Sequence, residues 1–138
     1  MIDPFKENHG YLLRRASTTA MADLAKRLKT LDLRPTEATV LLTIDANLNP
    51  TLSEVGRLLE IASANMAPLI ARLEGRDLIA REPMDGRSHA LSLTPAGMET
   101  TERIKQIVAS HEADLLNKIP PEARSAFLKG LRAIWKDE

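Results

Sequence analysis

Apolar residues recur through most of the chain at spacings of three and four, the repeat of a helix that buries one face. Over residues 4–31 that stripe is Met21, Leu24, Leu28 and Leu31, opposite Arg14, Arg15, Asp23, Lys26, Arg27 and Lys29. A second helix is signalled by Arg34-Pro35-Thr36-Glu37, since proline at the first helical position gives up an N–H with no intrahelical partner. Val40, Leu41 and Ile44 form its face, and Asn47-Leu48-Asn49-Pro50 ends it. Thr51-Leu52-Ser53-Glu54 is a capping box, in which hydroxyl and carboxylate satisfy each other's backbone N–H. Val55, Leu58 and Leu59 follow as the stripe of a third helix. Gly56 inside it is ~1 kcal/mol worse than alanine, a deficit that close approach of another helix would explain. The short turn Glu60-Ile61-Ala62 leads to a fourth helix over 63–76, with Met66, Leu69, Ile70 and Leu73 inward. Two short helices so joined form a helix-turn-helix.

The period then changes. Residues 78–82 and 89–93 are strand-like, with Leu91 and Leu93 alternating with polar neighbours. The Asp85-Gly86 turn signal between them closes a hairpin. A lone hairpin after a helix-turn-helix reads as a wing. Thr94-Pro95 opens a fifth helix reaching about residue 118, striped by Ile104, Ile107, Val108, His111 and Leu115. Pro120-Pro121 stops it and starts a sixth, whose face holds Phe127, Leu128, Leu131, Ile134 and Trp135. The fold class expected is mainly α: six helices with a two-stranded β-hairpin wing, a winged helix-turn-helix, dimeric. Residues 1–31 and 96–138 are expected to flank a winged helix-turn-helix lobe at 32–95, within a single compact chain. The stripes Leu24/Leu28, Ile104/Ile107 and Phe127/Leu131 are expected to meet across subunits, because a monomer would leave a large apolar patch.

Composition narrows the chemistry. With no cysteine among 138 residues, a disulfide framework, a thiolate metal site and a thiol redox sensor are all excluded. His9, His89 and His111 are scattered, without metal-ligand spacing. No phosphate-cradling glycine loop and no nucleophile motif occur, so neither a cofactor nor catalysis is expected. No run approaches the ~18 apolar residues of a membrane span and no signal peptide is evident, so the expected location is cytoplasmic. Nineteen basic residues balance nineteen acidic ones. That balance argues against a nucleic-acid partner, since phosphate contacts supply much of such affinity. Any positive surface must be assembled by folding or dimerisation.

The ordered set from Thr51 to Gly97 carries the sharper signal. A capped helix and a second helix ending in Arg72-Leu73-Glu74 are followed by a hairpin containing Asp85-Gly86-Arg87, then Leu93-Thr94-Pro95-Ala96-Gly97. In that order and spacing the chain resembles the MarR family of transcriptional regulators, which carry Arg-Leu-Glu, Asp-x-Arg and Leu-Thr-x-x-Gly in sequence. The resemblance implies a homodimer on double-stranded DNA, with residues 1–31 and 96–138 as dimerisation helices, 32–95 as the DNA-binding lobe, the fourth helix in the major groove and the hairpin in the minor groove.

Base-reading candidates are Ser63, Ala64, Asn65 and Met66 on the first turn of the fourth helix, where a recognition helix reaches deepest. Asparagine can hold adenine bidentately, and an alanine or methionine can touch a thymine methyl. Thr51 and Ser53 open the third helix, where hydroxyls and free N–H groups suit a phosphate. Arg72, Asp85, Arg87 and Ser88 complete the DNA-binding set, with Arg87 as the wing arginine and Asp85 orienting it. For a small aromatic or carboxylate effector, which the resemblance implies, the candidates are Tyr11, Arg14, Arg15 and His111. Three positions depart from the family pattern. Pro68 predicts a kink or a later start in the fourth helix, Asp77 stands where a helix-ending glycine is usual, and Arg34 where a threonine cap is usual. The alternative is a winged-helix protein-interaction module without operator binding.

Overall fold

Six α-helices and one hairpin follow one another in the expected order: α1 (His9–Leu28), α2 (Pro35–Ala46), α3 (Leu52–Leu58), α4 (Ser63–Gly75), β1 (Ile79–Pro83), β2 (His89–Leu93), α5 (Pro95–Asn117) and α6 (Arg124–Trp135). The computed structural model describes residues 1–86 and 88–136.

Helix α1 starts at His9, not at residue 4. Asp3 Oδ1 accepts from the Phe5 N–H at 2.9 Å, and Asn8 N–H donates to Phe5 O at 2.8 Å. The aspartate thus diverts backbone that a helix would otherwise need. The capping box of α3 forms as read: Glu54 N–H donates to Thr51 Oγ1 at 3.1 Å and Thr51 N–H to Glu54 Oε2 at 2.9 Å. At α2 only half of such a box exists, because Arg34 offers no acceptor; its N–H donates to Glu37 Oε1 at 2.8 Å.

Three connections are turned by acidic residues in the left-handed region: Asp32 (φ 51°), Glu60 (φ 55°) and Asp77 (φ 57°). Each is followed by the bond pair of a Schellman motif, which satisfies the last carbonyls of a helix. At Asp77 the bonds are Asp77 N–H to Glu74 O (2.9 Å) and Leu78 N–H to Leu73 O (3.0 Å). Asp77, standing where a helix-ending glycine is usual, takes up the left-handed conformation itself.

Helix α4 is continuous through Pro68 and begins at Ser63, with Met66 N–H donating to Ala62 O at 3.1 Å. The later start does not occur. Ala64 and Pro68 both lie on the exposed side, so the carbonyl that proline leaves without a partner is not trapped in the core. Gly56 is explained as expected: a Cβ there would stand 3.1 Å from Met66 Cγ and 3.4 Å from Ile61 O.

The hairpin pairs antiparallel from Ile79↔Leu93 to Pro83↔His89. A bridge between Thr51 and Ala90, with Leu91 N–H donating to Pro50 O at 2.8 Å, fastens it to the start of α3. The core is built from Leu28, Val40, Leu41, Val55, Met66, Ile70, Leu73, Ile79, Leu91 and Ile104, drawing on every helix and strand named except α6.

The expected subunit-facing stripes need correcting. Leu28 and Ile104 are fully buried within the chain, and Leu24 and Ile107 pack against the same core, because α1 and α5 lie on each other. The apolar residues left uncovered are Leu12, Leu13, Met21, Leu116, Phe127, Leu128, Ile134 and Trp135, the last at 71% exposure. Helix α6 has no buried residue at all. No helix among the described residues is long and apolar enough to cross a membrane.

Candidate nucleic-acid interface

The first turn of α4 presents Ser63, Ala64 and Asn65 to solvent, with Ala67, Pro68 and Ala71 continuing that face. Met66 does not belong with them. It is 1% exposed, seated against Gly56, so its assignment as a base contact is withdrawn and it becomes the packing link between the two helices. On α3, Ser53 is exposed, while Thr51 is half-buried with its oxygen occupied as acceptor by Glu54 N–H. Asp85 and Ser88 are exposed in the hairpin turn, where Gly86 takes φ 72° and Met84 N–H donates to Ser88 O at 2.9 Å. Arg87 lies outside the described residues.

Arg72 has a different setting from the one expected. Its Nε stands 2.7 Å from Oε2 of Glu37, a carboxylate on α2 that is almost wholly buried. Glu74 pairs with Arg81 on β1, tying the same helix to the wing. Arg76 donates to Asp32 O at 2.6 Å and to Leu31 O at 3.0 Å, joining the end of α4 to the turn after α1. Leu73, between them, is fully buried. The Arg72-Leu73-Glu74 triplet therefore points three ways, to α2, to the core and to the wing.

The Leu-Thr-x-x-Gly phrase is equally physical. Thr94 Oγ1 accepts from Gly97 N–H (2.9 Å) and donates to Asp77 O (2.6 Å), while Thr94 N–H donates to Leu78 O (3.1 Å). A Cβ at Gly97 would stand 1.9 Å from Leu78 O, so only glycine lets α5 lie this close. These bonds lock the wing and the end of α4 to the long helix.

A groove of about 320 Å³ between α2 and α4 was not anticipated from the sequence. Arg34, Thr36, Asn65 and Arg72 line it. The signal available is Arg34, at a cap position where its side chain cannot cap.

The effector candidates separate into two places. Tyr11, Arg14 and Arg15 cluster: both guanidinium carbons lie within 5.9 Å of the Tyr11 ring centroid, a cation–π distance. Tyr11 O–H donates to Asp3 Oδ2 at 3.1 Å, and Phe5 stacks at 5.6 Å. His111, on α5, meets α1 at Asp23, twelve residues and about 18 Å beyond Tyr11 at the helical rise. There it is buried, its Nδ1 2.8 Å from Asp23 Oδ2, in a network that continues through Arg27 to Asp114. The His111 hydrogen bond and the Arg27 guanidinium hold the Asp23 carboxyl below its ordinary range, against the opposing pull of burial. His111 is thus a satisfied structural histidine, and the structure does not bring it together with Tyr11.

Comparison with known proteins agrees with this geometry. Residues 33–89 match the MarR family. The transcriptional repressor CouR bound to a 23-mer DNA duplex superposes with a TM-score of 0.89 at 33% identity, covering 99% of this chain and 100% of that one. The chain belongs to the MarR family. CouR bound to p-coumaroyl-CoA gives the same TM-score at 31% identity, over 100% of this chain and 99% of that one. BpsR of Bordetella bronchiseptica, whose DNA binding is regulated by 6-hydroxynicotinic acid, superposes at 0.86 with 25% identity over the full length of both. A Thauera aromatica protein described as a transcriptional regulatory protein for the hcr operon is 25% identical over 133 residues, 94% of this chain and 80% of that one. The relatives of this MarR-family chain are transcription regulators, and its three family phrases are the joints that hold α4, the wing and α5 in fixed relation.

Proposed function

We propose that this chain represses transcription as a homodimer that binds a pseudo-palindromic operator and is released by a small aromatic ligand. The observation that carries the reading is the exposed turn Ser63–Ala64–Asn65, held beside a hairpin by a helix-turn-helix whose joints are all formed. Ser63, Ala64 and Asn65 read base edges in the major groove, Ser53 and Thr51 approach a phosphate, and Arg87 enters the minor groove with Asp85 and Ser88 beside it. Residues 32–95 form the DNA-binding lobe, and the segments 1–31 and 96–138 the dimerisation arm. The uncovered faces of α1 and α6 are the surface that a second copy covers. Two lobes then present α4 to half-sites about one helical turn apart. A regulator of this kind acts where the chromosome is, in the cytoplasm.

The effector reading rests on the Tyr11, Arg14 and Arg15 cluster and on the two relatives named with aromatic ligands. An aromatic acid, or its coenzyme A thioester, matches a ring with two adjacent guanidinium groups. Such a ligand releases DNA only if it binds the free conformation more tightly than the bound one.

Selection of bound duplexes from a random library, followed by salt titration of the recovered sequence, tests the DNA reading. A palindromic consensus and a binding constant that falls steeply from 50 to 200 mM salt are expected. Absence of a consensus, or unchanged binding by Arg87→Ala, refutes it. Aromatic acids and their thioesters are then added to the complex, and weaker operator binding that Arg14→Ala abolishes is the expected outcome.

A further inference from the structure

Glu37 performs two tasks that need different chemistry. Its Oε1 accepts the Arg34 N–H at 2.8 Å and so caps α2. A glutamine at that position would cap as well, because the box requires only an acceptor. The negative charge is therefore unexplained by the cap, and it is costly, for the residue is 3% exposed. Buried carboxylates are tolerated when paired, and such pairs are seldom more stabilising than neutral replacements. The charge has one partner here: Arg72, whose Nε stands 2.7 Å from Oε2 as an ion pair, while that oxygen accepts no hydrogen bond of proper geometry among the described residues.

Arg72 is 41% exposed and lines the groove between α2 and α4 with Arg34, Thr36 and Asn65. Its Nε is held beside Glu37 by charge attraction at 2.7 Å, off the line of a hydrogen bond, and the guanidinium donates no hydrogen bond among the described residues. An exposed arginine normally samples many rotamers, and fixing one on binding costs affinity. A buried carboxylate behind Nε removes that freedom beforehand and leaves the outer edge of the guanidinium, the edge that grips a phosphate, facing the groove.

The geometry points to Glu37 as a positioning residue that aims Arg72 at a backbone phosphate of the bound duplex, in the groove between α2 and α4. The inference rests on the DNA-binding reading above. Glu37 does not touch the nucleic acid; it acts through Arg72. Its charge, otherwise a burden on the fold, is kept for preorganisation.

The experiment measures binding of a duplex recovered by selection, as a function of salt, for wild type, Glu37→Gln, Arg72→Gln and the double variant. Glu37→Gln keeps the cap and the volume, and the double variant leaves no unpaired buried charge, so loss of folding is controlled by comparing circular dichroism and urea midpoints. Glu37→Gln is expected to weaken binding about 2- to 10-fold, the range for immobilising one long side chain, without changing the salt slope. Arg72→Gln should weaken binding and reduce the slope by about 1, as for one lost phosphate contact. The double variant should bind like Arg72→Gln alone. Further weakening by Glu37→Gln when Arg72 is already glutamine overturns the inference, as does an unchanged slope in Arg72→Gln or full affinity in Glu37→Gln. If wild type itself shows no salt-dependent binding to any selected duplex, the DNA reading fails first and takes this inference with it.

Discussion

Replacing Gly97 by alanine should damage the fold far more than any other glycine-to-alanine change on a helix. An ideal Cβ at this position falls 1.9 Å from Leu78 O and 2.9 Å from Leu78 C, where ordinary contact begins at 3.4 Å. Both obstacles are backbone, so no side chain can swing aside, and the interior around them is close-packed. Helix α5 must retreat by more than an ångström from the end of α4. The bonds in its way are Thr94 N–H to Leu78 O, Thr94 O–H to Asp77 O and the cap from Gly97 N–H to Thr94 Oγ1. At about 1 kcal/mol for each, their loss is about 3 kcal/mol. Alanine recovers ~1 kcal/mol through helix propensity, which leaves a net destabilisation of about 2 kcal/mol before strain is counted.

Urea unfolding followed by circular dichroism measures this, at one fixed protein concentration because association would shift the midpoint. Gly75→Ala is the control, since a Cβ there meets nothing within 4 Å. It should leave stability unchanged or raise it by up to ~1 kcal/mol. A Gly97→Ala protein within ~0.5 kcal/mol of wild type, the scatter of ordinary surface substitutions, refutes the account of the Leu-Thr-x-x-Gly phrase as a steric requirement.

Glycine at Asp77 or Glu60 should raise the urea midpoint, by about 1 kcal/mol each, because both sit in the left-handed region and place a negative charge at a helix C-terminus; a lower midpoint would count against the strain. Asp23→Asn should be less stable than wild type at pH 7. Because the folded carboxyl titrates below its ordinary value of 3.8, its contribution is present above that pH and is lost as the pH falls through the folded value. The gap between the two proteins should therefore narrow as the pH is lowered below 3.8, and a constant gap would show that the carboxylate charge is not what matters. Leu128→Glu on the uncovered face of α6 should shift sedimentation from dimer to monomer without loss of helical signal in the monomer's DNA-binding lobe; an unchanged sedimentation coefficient would place the subunit contact elsewhere.

Local chemistry was legible in the sequence wherever the cause lay within a few residues. The Thr51–Glu54 box, the proline start of α2, the Asp85–Gly86 turn and the tight packing implied by Gly56 all appear as read. Periodicity also marked which residues leave the solvent, but not what they meet. Leu24, Leu28, Ile104 and Ile107 form a stripe that fits either a partner subunit or the chain's own core, and only the tertiary arrangement assigns them to the core. Met66 shows the same limit: its place on the first turn suggested a base contact, while its phase on α4 turned it towards Gly56. Partners of long side chains were least legible. Arg76 bonds to carbonyls 44 and 45 residues away, a choice set by how α4 lies over the end of α1.

The zero net charge that first argued against a nucleic-acid partner is answered by where the arginines of the lobe are engaged. Arg72 faces Glu37, Arg81 faces Glu74, and Arg76 is taken up by two carbonyls. Each acid in these pairs stands behind or beside an arginine instead of neutralising a distant one, so the balance in composition is partly a balance within joints. Pairs of this kind are seldom more stabilising than neutral replacements, but they fix direction, and direction is what base reading requires. The direction of these arginines is set by how α4, the wing and α5 are joined, so those joints matter to the lobe beyond its balance of charge.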